Sequence, residues 1–134
     1  MTTTTNAQQG RTNRRRGGDA ERELAKLLAE RLGIAVSRNL QQTRDGGYDL
    51  LLTGWSLEVK RAVARSRLAD WWRQTVQQAE QAKRKPALAY RLDRRPWRVV
   101  VALADVMPAA GGQSPDLTAE LCIDGFALLV RELL

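Results

Sequence analysis

Apolar positions along this chain follow two spacings, one of about 3.6 residues and one of 2, and the switches between them mark the elements. Between Asp19 and Leu32 the spacing is helical: Ala20, Leu24, Leu27, Leu28 and Leu32 fall in one arc, with Arg22, Glu23, Lys26 and Glu30 outside it. Asp19, after Gly17 and Gly18, suits the N-cap of this helix, and Gly33 suits its end. The next stretches read as strands: Ile34 to Asn39, then Tyr48 to Thr53 and Trp55 to Ala62 on either side of Gly54. A second helix is predicted from Leu68 to Arg84, with Leu68, Trp72, Val76, Ala79 and Ala82 as its apolar stripe and Pro86 ending it. In that phase Trp71 and Trp72 do not both face the core, which leaves Trp71 at a core edge or at a dimer or DNA surface. Pro86 to Leu92 and Trp97 to Leu103 are two further strands joined by a basic turn from Asp93 to Pro96. Leu117 to Leu134 fits either a strand and a short helix or a hairpin around Asp124 and Gly125.

The order helix, three strands, helix, two strands predicts an α/β fold: a mixed central sheet flanked by helices. One domain is expected over 17–134, with a core at about 17–106 and a C-terminal extension at 107–134. Residues 1–16 show no apolar periodicity, contain no acid and end in Arg14, Arg15 and Arg16. They are expected to form a disordered basic arm, serving either as a solubilising tail or as a contact for phosphates.

Composition narrows the chemistry. A chain of 134 residues can bury a core without disulfides, and its single cysteine, Cys122, allows no internal one. With no histidine, Cys/His zinc sites and His-based catalysis are excluded, leaving carboxylates, lysine and a hard cation for any hydrolysis. The 22 Lys and Arg against 15 Asp and Glu give a net charge of +7, which favours a polyanionic partner. Neither a run of about 18 apolar residues nor the apolar segment of a signal peptide is present. The expectation is a soluble, cytoplasmic protein with no membrane partner.

If Tyr48 to Thr53 and Trp55 to Ala62 form a tight hairpin, Asp49 lies opposite Glu58. Side-chain alternation then puts Ser56, Glu58 and Lys60 on one face and Trp55, Leu57 and Val59 on the other. Two carboxylates facing each other across strands repel unless a positive charge lies between them. A surface salt bridge to Lys60 would serve, though such bridges contribute only about 0–1 kcal/mol. A metal site serves as well, and two facts favour it. Both acids interrupt apolar strands, and Glu21 falls in the middle of the helical apolar arc, where a carboxylate needs a partner. Phosphodiester hydrolysis suits these residue types. Mg²⁺ held by carboxylates generates a nucleophilic water and offsets developing charge, while a neighbouring lysine orients or deprotonates that water and stabilises the oxyanion. Ligands that are all oxygen favour Mg²⁺, with Mn²⁺ able to substitute, over Zn²⁺.

The set Glu21, Asp49 and Glu58-Val59-Lys60 resembles the PD-(D/E)XK nuclease superfamily, and its surroundings are similar to the archaeal-type Holliday junction resolvases. RGGDAERELAKLL resembles that family's opening helix, DGGYDLLL and LEVKR its two metal-binding strands, and KPALAYRLDRRPWRVVVAL its closing hairpin, together covering about 16–105. The resemblance implies a restriction-endonuclease-like core, in which Asp49, Glu58 and the Val59 carbonyl hold Mg²⁺, Lys60 is the catalytic lysine, and Glu21 completes this metal site or a second one. It also implies a homodimer that cuts branched DNA by paired nicks, with no small-molecule substrate. Gln74 in WWRQTVQQA resembles an auxiliary glutamine that related enzymes place near the site, or is one more solvated glutamine on that helix. Tyr48 stands where the motif's proline usually lies, the spacing before Pro86 is short, and the tail after Met107 has no counterpart.

Arg14, Arg15, Arg16, Arg38, Arg44, Arg61, Arg65 and Arg67 flank these residues in sequence and are candidates for contacts to the DNA backbone, which position DNA without reading sequence. Besides a junction resolvase, two alternatives stay open: a PD-(D/E)XK nuclease acting on another DNA, of restriction or flap type, and a non-cleaving nucleic-acid-binding module on the same fold.

Overall fold

The computed structural model describes residues 6–41, 47–110 and 114–133, and over 6–17 and at 110 the backbone path alone. In chain order the elements are α1 (Asn6–Leu32), β1 (Ser37–Arg38), β2 (Leu50–Leu52), β3 (Trp55–Ala62), α2 (Leu68–Ala82), β4 (Lys85–Leu92), β5 (Arg98–Ala102), α3 (Leu103–Val106), a 3₁₀ turn (Pro108–Ala110), β6 (Thr118–Cys122) and α4 (Ile123–Leu133).

The six strands lie side by side in chain order. All neighbours are antiparallel except β3 and β4, which run parallel in the register Glu58 to Leu88 and Lys60 to Tyr90. A parallel pair needs a crossover, and α2 supplies it. The mixed sheet expected from the apolar pattern is therefore present, with helices on both faces.

Alternation along the strands divides the core in two. On one face Leu50, Leu57, Ala87, Ala89, Val99 and Val101 pack against Leu24 and Leu28 of α1 and against Phe126 and Val130 of α4. Trp55 meets the Phe126 ring edge-on at 5.2 Å between centroids, a favoured aromatic geometry. On the other face Leu88, Tyr90 and Val100 pack under Trp71 and Trp72 of α2, and the Trp72 indole donates to the Pro115 carbonyl at 2.9 Å.

Several expectations are corrected here. Helix α1 begins at Asn6, so Asp19 is an interior residue and not the N-cap, and residues 6–16 are helical where a disordered arm was expected. Once Leu24 and Leu28 anchor the helix, extending it costs little through Ala, Gln and Arg, and the glycines cost about 1 kcal/mol each. Trp71 and Trp72 are both buried, because the line along which α2 touches the sheet passes between them, about 50° from each. Helix α2 stops at Ala82 rather than Arg84. Lys83 takes a left-handed conformation at φ 56°, and the Arg84 amide returns to the Ala79 carbonyl at 2.9 Å. Pro86 then lies inside β4 and ends no helix. The first predicted strand shrinks to the two residues of β1.

The tail resolves into a strand followed by a helix. With Phe126 and Val130 fully buried in the main cluster, it completes the core and is no appendage to it. Among the described residues no helix is long and apolar enough to cross a membrane. Phe126→Ala should cost about 3–5 kcal/mol of stability, as truncating a buried aromatic does, measured by urea denaturation. A loss under about 1 kcal/mol would mean that α4 is not part of the core.

Candidate active site

The short turn at Thr53 and Gly54, where Gly54 takes φ 83°, fixes the β2–β3 register as Leu50 to Leu57, Leu51 to Ser56 and Leu52 to Trp55. One step beyond, the Asp49 amide donates to the Leu57 carbonyl at 2.8 Å, so Asp49 stands opposite Glu58, as the hairpin pairing predicts. Both side chains lie on the face that α2 covers. Asp49 is 8 % and Glu58 4 % exposed.

Burial makes both acids keep their protons to higher pH than an exposed carboxyl does. Burial, and after it the charge of Asp49, pushes Glu58 up to about 8, against the pull of Lys60. Burial raises Asp49 to about 6, with the charge of Glu21 adding to the rise and the Val59 amide and Lys60 opposing it. These two titrations belong to the pair. The Val59 N–H donates to Asp49 Oδ2 at 2.7 Å, and Lys60 Nζ lies 3.6 Å from Glu58 Oε1. Among the described residues Glu58 Oε2 is buried with no hydrogen-bond partner. An ionised carboxylate in that position needs a proton or a cation on its open oxygen.

Backbone geometry adds a further acceptor. In an antiparallel strand the N–H and C=O of one residue point to the same side. Because the Val59 N–H points at Asp49, its carbonyl points toward the acids as well. Asp49, Glu58 and this carbonyl form an all-oxygen donor set that suits a hard divalent cation.

The remaining candidate residues divide. Glu21, on α1, is only 13 % exposed at its side chain and is held by Arg38 of β1, whose Nε donates to Glu21 Oε2 at 2.7 Å. Among the described residues no group of three acids comes together as a metal cage. Arg38, one of the candidates for backbone contacts, is paired with Glu21 in this structure. Arg61 and Arg67 are exposed. Arg65 is exposed too, lying 3.9 Å from Glu120 and over the Tyr90 ring. Arg44 falls outside the described residues, and for Arg14, Arg15 and Arg16 only the helical backbone path is described.

Gln74 is exposed and away from the acids. It lies about 120° from the centre of the buried stripe of α2, whereas Gln78 lies at the margin of that stripe, about 80° from its centre. Gln78 is the glutamine of α2 that lies beside the segment leading into Asp49. A Cβ on Gly47 would come within 3.0 Å of Gln78 Nε2, so the side-chain amide packs against the bare backbone that leads into Asp49. Gln78 Oε1 and Ser56 Oγ are also buried without partners among the described residues. Asn39, buried, closes the other side: its amide donates to the Asp49 carbonyl at 2.8 Å and its side chain to the Tyr48 carbonyl at 3.0 Å. Ser56 lies on the face of Glu58, where alternation along β3 puts it. Nothing in the local pattern marks Asn39 or Gln78.

The raised carboxyls make the metal-free protein sensitive to pH. The folded chain keeps protons that the unfolded chain releases near 4.5, so stability is highest in acid and falls as pH rises through about 6 and about 8. Calorimetry in EDTA should show a lower Tm at about pH 8.5 than at about pH 5.5, and Glu58→Gln should remove most of the difference. An unchanged pH dependence in that variant would show that the pair is not its source.

Residues 52–118 match the model of the family described as "Phage putative PDDEXK endonuclease", a match spanning half of the chain. It takes in Glu58 and Lys60 and begins after Asp49. No curated protein and no solved structure matches the chain. The six-stranded mixed sheet with its four flanking helices is the α/β architecture of restriction-endonuclease-like proteins. By this match and this fold, the chain belongs to that PD-(D/E)XK endonuclease family.

Proposed function

We propose that the protein is a Mg²⁺-dependent DNA endonuclease that cuts branched DNA, in the manner of a Holliday junction resolvase, as a homodimer. The observation that carries the nuclease part is the buried Asp49–Glu58 pair, with an open oxygen on Glu58 and Lys60 beside it. Asp49, Glu58 and the Val59 carbonyl would hold the cation, with Mn²⁺ able to replace Mg²⁺. When bound, such an ion supplies Lewis acidity and a water of lowered pKa.

The chain's own groups do the rest. Asp49 is held in place by the Val59 N–H and by the backbone bond to Leu57, so it needs little reorganisation to act as a ligand. Lys60 is 28 % exposed at its side chain, enough to meet solvent and a phosphate while its ammonium stays near Glu58. There it can orient the attacking water by donating to its oxygen and offset charge on the phosphoryl oxygens. Exposed Arg61 and Arg67 on β3 and the loop after it, together with the Arg14 to Arg16 run, suit phosphate contacts, consistent with the net charge of +7.

Branched DNA and the dimer rest on the likeness of the Glu21, Asp49 and Glu58-Val59-Lys60 set and its flanking segments to junction resolvases. The family match speaks of an endonuclease and names no junction, which favours, as a second reading, a nuclease acting on linear or flapped DNA.

Incubating the protein with a labelled four-way junction, a matched linear duplex and a flap, in Mg²⁺ or EDTA, should give symmetric nicks on the junction in Mg²⁺ alone. Cleavage of the duplex or flap instead would select the second reading. Binding without cleavage in either Mg²⁺ or Mn²⁺ would sink both. Lys60→Ala should slow cleavage by about 10²–10³-fold or more, and Asp49→Asn should abolish it, with DNA binding by fluorescence anisotropy preserved in both.

A further inference from the structure

Glu21 and Arg38 form an ion pair at the margin of the carboxyl pair, and the two partners are anchored very unequally. Glu21 sits on α1 one turn from Leu24, which is fully buried in the core. Arg38 sits on β1, a two-residue edge strand paired only with β2. Its guanidinium lies over Gly18, where an added Cβ would stand 3.4 Å from Nη2. Arg38 is 30 % exposed at its side chain, so DNA can reach it, whereas Glu21 is more deeply buried.

Charge gives the pair a purpose. Glu21 already acts on Asp49 across the site through its charge. Once Asp49 and Glu58 have lost their protons, the three carboxylates and Lys60 leave two negative charges, which one divalent cation matches; Arg38 cancels one of them. With Arg38 in place, Glu21 has no call for a cation and the site attracts one less strongly.

We infer that Arg38 is an exchangeable counterion: it occupies Glu21 in the cation-free protein and releases it to the cation when a DNA phosphate takes its guanidinium, so that metal and DNA reinforce each other's binding. This rests on the cation site proposed above. Arg38 is then a positioning residue, acting through Glu21 and not on the reacting atoms.

Calorimetric titration of the full chain with Mg²⁺, without DNA, tests the inference through binding alone. Arg38→Met should bind Mg²⁺ about tenfold more tightly than the parent protein, since a neighbouring positive charge is gone. Arg38→Lys, which keeps the charge, should bind like the parent. In a Glu21→Gln background the Arg38→Met change should have no effect, because its partner carboxylate is absent. Equal tightening in both backgrounds would mean a general charge effect, and no tightening in either would mean no competition; each overturns the inference. Asp49→Asn separates the two levels. If it leaves Mg²⁺ affinity unchanged, the cation site itself is wrong, whereas loss of binding there with a flat Arg38 series rejects only the counterion.

Discussion

The hairpin register that sets Asp49 against Glu58 places two carboxyl groups where water is largely excluded and leaves one oxygen with no donor among the described residues. Such a pair is expensive in isolation, since each ionised group loses its hydration and feels the other's charge in a medium that screens poorly. Its neighbours reduce that cost only in part. The Val59 amide serves one oxygen of Asp49, Lys60 approaches Glu58 at a distance too long for a good hydrogen bond, and Arg38 draws off the charge of Glu21. The remaining deficit is a local instability, and the fold surrounds it with elements that keep it from collapsing.

Those elements come from both faces of the sheet. Helix α1 brings Glu21 up from the face it shares with α4, while α2 closes the other face with Trp71, Trp72 and Thr75. At the far end of α2, Arg84 ties the helix to the hairpin: its guanidinium reaches the Leu52 and Trp55 carbonyls at 3.3 and 3.4 Å and stacks over the Tyr48 ring. The chain that carries the acids is thus clamped at the turn and at its entry.

What was legible in the sequence was local. A two-residue turn between alternating strands leaves one register that buries Leu50, Leu52, Trp55 and Leu57 together, so the placement of Asp49, Glu58 and Lys60 follows from the pattern alone. The phase of α2 was half legible: Val76 and Ala79 gave the stripe, but the width of an indole let Trp71 join it, which a narrow helical arc does not anticipate. What stayed hidden depends on contacts between distant segments. The Arg38 to Glu21 pair spans 17 residues and a change of element, and Gln78 is chosen over Gln74 by the angle at which α2 lies on the sheet. Likewise Phe126 belongs to the core only because β6 returns the chain to the edge of β5.

The crossover through α2 also orders the construction of the molecule in time. A hairpin such as β2–β3 closes a short loop and forms within roughly 1–10 μs in isolated segments, whereas the parallel pairing of β3 with β4 must wait until the whole of α2 has been bridged. The two acids therefore meet first in water, where their repulsion is weak, and lose that water only when α2 docks over them. An ion or proton that satisfies the pair only after α2 has docked would govern chiefly how slowly the finished protein opens rather than how fast it forms.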